Sequence, residues 1–137
     1  MSEQNKALAR LWFEEVWNKG RESAIDELFH PQGKVHGFPD PASILIGPEG
    51  FKTVHRQFHN IFGNIHITLD DVLAEDDRVA TRWTTTAIHS GDGLGFPATG
   101  KNATLGGSSF TICRNGQIVE AWNFMDLTKL AIDLQSK

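Results

Sequence analysis

Two hydrophobic periods divide this chain, one of three to four residues through most of its first sixty positions and one of two residues through most of the remainder. From about Glu3 to Lys19 the apolar positions Ala7, Leu8, Leu11, Trp12 and Val16, widened by Phe13 and Trp17, mark a helix with one broad buried face. Gly20 stands where a left-handed residue ends it. A shorter helix over Ser23 to Phe29 buries Ala24, Ile25, Leu28 and Phe29, and Pro31 stops it. Lys34 to Phe38 reads as a short strand, and Pro39-Asp40-Pro41 as a loop. A third helix opens at Gly47-Pro48-Glu49, where proline's missing N–H goes unneeded and a carboxylate meets the positive end of the dipole. Phe51, Val54, His55, Phe58, Ile61 and Phe62 carry its apolar face up to Gly63.

Beyond Gly63, Ile65, Ile67 and Leu69 alternate with His66, Thr68 and Asp70 in a strand that reaches Ala74 before the acidic turn Glu75-Asp76-Asp77. Arg78 to His89 is the next strand, rich in the β-favouring residues Val, Thr and Trp. His89 to Gly100 holds too much glycine for regular structure and predicts a long loop. A strand from Lys101 to Arg114 follows, then the Asn115-Gly116 hairpin turn, a last strand from about Gln117, and a short helix from Leu127 to about Gln135. Strict alternation on that last strand places Ile118, Glu120, Trp122, Phe124 and Asp126 on one face, and Val119, Ala121, Asn123 and Met125 on the other.

Helices first and a meander of long strands second predict an α+β domain, a curved antiparallel sheet wrapped around the N-terminal helices as a cone with an internal pocket. At 137 residues the chain, 1–137, is one domain. Its 39% hydrophobic and 22% charged content is that of a soluble globular protein, and a net charge of −4 argues against nucleic acid or an anionic membrane as partner. An apolar small molecule is the expected ligand. No apolar run is long enough to span a bilayer and the first residues lack a signal core, so the expected location is cytoplasmic. One cysteine, Cys113, excludes an internal disulfide and reads as a small core residue.

Asp126, the acid that follows an aromatic strand and precedes a helical pattern, has two readings: a helix N-cap, or a reactive group at the rim of an apolar pocket. His36 sits on the early strand, His55 and His59 on the third helix, and His89 at the start of the glycine-rich loop. His55 and His59 have the spacing of a metal pair, but no Glu follows the first and no cysteine is near, so neither metal nor cofactor is expected. His55 then reads as a pocket-lining or core residue bonded to backbone, and His59 as partly exposed. Trp12, Phe58, Phe62 and Phe110 read as core or pocket wall. Arg82, alternating with Trp83, is expected to pair with Glu120, and Thr81, Thr84, Thr85, Thr86 and Thr104 suit an exposed or sheet-packing surface.

Several blocks together resemble the SnoaL-like polyketide cyclases, or ester cyclases, within the cone-shaped fold of ketosteroid isomerase and nuclear transport factor 2. They are Glu14-Glu15-Val16-Trp17-Asn18-Lys19-Gly20, Gly47-Pro48-Glu49-Gly50, Asp77 to Trp83, Pro97-Ala98-Thr99-Gly100-Lys101, and Gly116 to Trp122 with Asp126 and Leu134-Gln135. The resemblance implies an intramolecular aldol closure without metal or cofactor, with one aspartate as acid and base; aligned on Gly116 and Trp122, that residue is Asp126. Enclosed by Trp122 and Phe124, its carboxylate would be poorly solvated and its pKa raised, as a proton shuttle needs. His36, His55 and His89 would orient substrate oxygens, and Phe58 and Phe110 would line the substrate pocket. Phe124 stands where such cyclases carry a histidine, and Phe110 with Ile112 where they carry polar side chains. The resemblance also implies a homodimer or homotetramer. The rival reading is a domain of the same fold that binds a hydrophobic ligand, or serves as an oligomeric scaffold, without catalysis.

Overall fold

The N-terminal apolar stripe folds as a helix that changes pitch. In the computed structural model, which describes residues 2–136, α1 (Ser2–Leu11) runs directly into a π-helical stretch, Trp12–Asn18. The wider turn brings Trp12, Val16 and Trp17 all into the core. Gly20 takes the left-handed conformation expected of it, at φ 65°. Asn18 then bonds to the sheet: its Oδ1 accepts from the Ile67 N–H at 2.6 Å and its Nδ2 donates to the Ile67 carbonyl at 3.0 Å. One amide side chain thus satisfies both backbone groups of that residue.

Helix α2 (Ser23–Leu28) is one residue shorter than expected, because Phe29 already opens β1 (Phe29–His36). Pro31 therefore lies inside a strand instead of beyond a helix. A short strand, β2 (Ile44–Ile46), was not anticipated; three apolar residues in a row carry too little pattern to separate strand from loop. Then come α3 (Gly47–Ile61), β3 (Phe62–Glu75), β4 (Arg78–His89), β5 (Asn102–Arg114), β6 (Gln117–Met125) and α4 (Leu127–Gln135), close to the predicted bounds.

The six strands form one sheet in the order β2-β1-β6-β5-β4-β3. Neighbours are antiparallel except β1 and β6, which run parallel, so the sheet is mixed at the β1 side. Its concave face packs on α1, the π-helical stretch and α3 around a core that includes Trp12, Val16, Trp17, Phe29, Phe51 and Trp83. A second cluster, Phe62, Ala87, Ala103, Leu130 and Leu134, fixes α4 across one end. Cys113 is buried, and burial pushes its thiol up to about 11, so it behaves as an inert small core residue. None of the described helices is long and apolar enough to cross a membrane.

One irregularity decides which side chains enter the cone. Ile112 pairs with Glu120 but Cys113 pairs with Ile118, so Val119 is an extra residue on β6. Such a bulge shifts the alternation by one. Ile118 points inward as expected, but beyond the bulge Ala121, Asn123 and Met125 face the cone, while Glu120, Trp122 and Phe124 face out. The strict alternation expected for this strand is corrected accordingly.

Candidate functional site

The concave face encloses a cavity of about 120 Å³. Trp12, Trp17, Phe29, Phe38, Phe51 and Phe58 supply most of its aromatic wall. Leu127 and Leu130 of α4 and Met125 of β6 border it toward one end. An apolar cavity of roughly 150 Å³ holds a single benzene ring, so this one has room for at most one ring.

Polar groups are few in the lining, and two of them are wired together. The indole N–H of Trp83 donates to Ser109 Oγ at 3.1 Å, and Ser109 Oγ–H donates to Asn123 Oδ1 at 2.6 Å. Because an indole can only donate, the chain has a fixed direction, and it ends on the Asn123 amide with its Nδ2 hydrogens left to offer. A ligand carbonyl in the cone would therefore meet a donor. Thr85 and Thr111 are the remaining hydroxyls in the lining, and no Asp, Glu or His belongs to it.

The carboxylate expected inside the pocket lies outside it. Asp126 is exposed and caps α4, its Oδ1 accepting the Lys129 N–H at 2.9 Å. Trp122 and Phe124 do not enclose it, since the bulge turns both outward and Phe124 is 57% exposed. Phe110, expected in the wall, is 53% exposed on the same outer face and meets Phe124 edge to face at 6.2 Å. His36 stacks on Trp122, rings 8° apart, and Nε2 lies 2.6 Å from Glu120 Oε2. Arg82, assigned to Glu120 from the sequence, instead binds Asp71 at 2.7 Å, directly across from it on β3. Of the proposed substrate contacts, only Phe58 lines the cone.

Of the other candidate histidines, His55 and His89 are buried behind the wall, and His59 is half-buried, partly exposed as expected. His55 donates from Nε2 to the Val16 carbonyl at 2.6 Å, an acceptor within the π-helical stretch whose neighbours bond at longer range (Lys19 N–H to Glu14, Arg21 N–H to Glu15). His59 stacks on Trp17, and its ring centroid is 4.4 Å from that of His55. Fully buried His89 accepts the Thr99 N–H at Nδ1, which ties the start of the glycine-rich loop to its end. Among the described residues no third ligand joins His55 and His59.

Burial holds both His55 and His59 below their ordinary titration range; Arg56 adds to this at His55, against the Val16 bond and Glu22, and His55 adds to it at His59. With folded values below about 6.5, the unfolded value, the unfolded chain binds protons first. The neutral pair's contribution is thus complete above that pH and is lost as pH falls through the depressed values. Urea midpoints should fall between about pH 7.5 and 5.5, and His59→Gln should reduce that fall; an unchanged pH dependence in the variant would refute this account.

Ser109 and Asn123 were not singled out from the sequence, and Trp83 was placed only on the sheet face opposite Arg82. Asn123 directly follows Trp122, but its inward direction depends on a bulge that has no reliable residue signature.

The model of the SnoaL-like polyketide cyclase family matches residues 7–134. The chain belongs to that family. Solved structures agree with it in fold. TsrD from Streptomyces laurentii is 26% identical over 98% of this chain and 97% of its own, with a TM-score of 0.83. IdmH from Streptomyces antibioticus, described as a candidate polyketide cyclase, is 25% identical over 97% and 99%, with a TM-score of 0.85. A candidate SnoaL-like polyketide cyclase from Jannaschia sp. CCS1 is only 20% identical, yet superposes at a TM-score of 0.88 over 99% of this chain and 94% of its own. Comparison with curated sequences gives no match. The SnoaL-like family and its cone are thus settled together, and the cone's contents bear on its use.

Proposed function

We propose that this SnoaL-like domain takes one ring of an apolar, carbonyl-bearing, polyketide-like small molecule into the cone, with Asn123 as the donor to the carbonyl. The observation that carries this reading is the directed chain Trp83–Ser109–Asn123 in a mainly aromatic and aliphatic cavity whose remaining hydroxyls are those of Thr85 and Thr111. A preorganised donor in a dry site polarises a carbonyl and acidifies the adjacent C–H, the first requirement of aldol closure or isomerisation. Acetophenone and ethylbenzene, of nearly the same shape, test it. Asn123→Val should weaken acetophenone by about fivefold and leave ethylbenzene unchanged, the worth of one net hydrogen bond. Failure of both to bind the wild type would remove the cone as a ligand site.

An acid/base role for Asp126 is the second reading, favoured by its position between Met125 and Leu127, which both border the cavity. Oδ1 is held by Lys129, so the proton would go to Oδ2. Asn caps a helix about as well as Asp, so Asp126→Asn should leave stability within about 0.5 kcal/mol while removing the base. Proton abstraction next to a carbonyl is read as deuterium exchange into the acetophenone methyl in heavy water. Exchange that wild type catalyses and Asp126→Asn lacks supports the role, and equal rates refute it.

Pairing of two copies over the outer sheet face is part of the same proposal. Leu73, Ala80 and Phe110 lie side by side on β3, β4 and β5, and Leu73 is 69% exposed. Two of the threonines assigned to a surface, Thr81 and Thr85, turn inward instead, whereas Thr84, Thr86 and Thr104 share the outer face. A two-fold contact needs a self-complementary patch, which this row provides. Sedimentation at micromolar concentration should find a dimer that Phe110→Glu dissociates; a monomeric wild type would refute it.

A further inference from the structure

The glycine-rich loop from Ser90 to Gly100 is tied down at its ends and not at its tip. The Ser90 and Gly91 N–H groups donate to the Ile61 carbonyl at the end of α3, at 3.1 and 3.0 Å, and the Gly100 N–H donates to the His89 carbonyl at 2.8 Å. Between these anchors, among the described residues, the hydrogen bonds of residues 92–98 close on the tip itself. Ala98 N–H donates to Asp92 Oδ1 at 2.9 Å, and Gly93 and Phe96 exchange a pair at 3.3 and 3.2 Å. What holds the tip to the body is apolar: Leu94 and Phe96 pack against the cluster around Phe62, and Gly93 rests on Ile61. A loop whose polar bonds are internal can lift as a unit without breaking any of them.

Beneath the tip is a donor without an acceptor. His89, the last residue of β4, accepts the Thr99 N–H at Nδ1, at 3.2 Å, with Thr99 Oγ1 3.0 Å from the same atom. The ring's one hydrogen is therefore on Nε2, which is sealed from solvent and has no partner. Its aromatic neighbours are Phe62 and Phe96, with centroids 5.7 and 5.3 Å away and Phe96 standing edge to face at 69°. A ring is at best a weak acceptor, and a trapped water needs two or more polar partners where two phenyl groups supply none. Buried donors are nearly always satisfied, so this one calls for an acceptor that the closed loop does not bring.

We propose that Phe96 is a displaceable plug in a ligand seat: when the tip lifts, the seat takes a flat, uncharged ring with a hydrogen-bond acceptor on its edge, and that acceptor receives the His89 Nε2–H. Phe96 shows the shape the seat holds, a single phenyl-sized ring. The orphan hydrogen shows the polarity that Phe96 lacks. A charged ring would give up its hydration for one neutral donor and phenyl faces, so the ligand is uncharged. The seat stands apart from the cone: Phe62 lines the cone as well, whereas His89 and Phe96 take no part in its wall.

Pyridine and benzene, alike in shape and different in the edge acceptor, are the probes, in mildly alkaline buffer where pyridine is uncharged. The His89 Nε2–H resonance of histidine-labelled protein should move downfield with pyridine and not with benzene. The Phe96 ring resonances should move with it, because plug and ligand cannot share the seat. Phe96→Ala vacates the seat. With the open tip a minor state of about a tenth or less of the wild type, the variant should bind pyridine about tenfold tighter or more. Asn123→Val should leave the response intact; its loss there would put pyridine in the cone and overturn the seat. A downfield shift absent from the wild type, or equal affinity in wild type and Phe96→Ala, overturns it as well. So does a shift that leaves the Phe96 ring unmoved in the wild type, a measurement that stands even should Phe96→Ala not fold.

Discussion

Trp83→Ala should lower the unfolding free energy by about 3–5 kcal/mol, the range for deleting a large aromatic from a packed core. Trp83 is buried on β4, at the middle of the concave face, and its ring edge lies where a side chain at Gly107 would stand: a Cβ there would be 2.5 Å from Trp83 Cζ2. A mid-strand glycine ordinarily weakens a sheet, and here it makes room for an indole. Removing the ring leaves a void against Gly107 and strips Ser109 Oγ of its donor. Trp83→Phe gives an intermediate loss, because it keeps one aromatic ring while deleting the N–H and part of the indole edge that packs at Gly107. That variant should lose about 2–3 kcal/mol, a small void adding to the buried hydrogen bond whose partner is left unmatched. Urea denaturation of the pair measures both; a loss under about 1 kcal/mol for Trp83→Ala would mean that the floor of the cone is not packed as described.

The same bonded chain shows how the sequence can be legible in fold yet misleading at the site. Helical period and glycine punctuation located α1 with its π-helical continuation, α3 and α4 to within about two residues, and the Asn115-Gly116 turn fixed the final hairpin, since each signal is local. The inward set on β6 is not local. Period two carried past Val119 assigns Trp122 and Phe124 to the pocket, and the single extra residue at the bulge reverses that for the rest of the strand. Trp122 and Phe124 therefore share a face as expected, but it is the outer one, and Asp126 lies beyond the strand as the cap of α4. His36, expected to orient substrate oxygens from the early strand, stands on the same outer face, stacked on Trp122. Asp126 also shows the limit of motif alignment: aligned on Gly116 and Trp122 it is the aspartate that the resemblance implies, but the orientation of its oxygen is set by the free N–H of Lys129. What the sequence carried without disclosing was Asn123, whose amide becomes the polar end of the cone only once the bulge is known.

Alanine at Gly37 and alanine at Gly50 should move stability in opposite directions, although the added atom is the same. Gly37 has φ 76°, where a Cβ costs about 1–2 kcal/mol by crowding its own carbonyl. That Cβ would also lie 2.4 Å from the Asn123 carbonyl oxygen, a backbone atom that moves only if β6 moves. Crowding a packed site by one methyl costs about 1–3 kcal/mol more, so Gly37→Ala should destabilise by roughly 2–5 kcal/mol. The Gly37 N–H is bonded to the Ser43 carbonyl at 2.9 Å, so the turn cannot simply swing away. Gly50 lies in the first turns of α3, where an added methyl would meet no neighbour within 4 Å and the backbone is ordinarily helical. Gly50→Ala restricts the unfolded chain and strains nothing, and should stabilise by about 0.4–1 kcal/mol. Urea midpoints that move the same way for both variants would refute the close approach of Gly37 to β6.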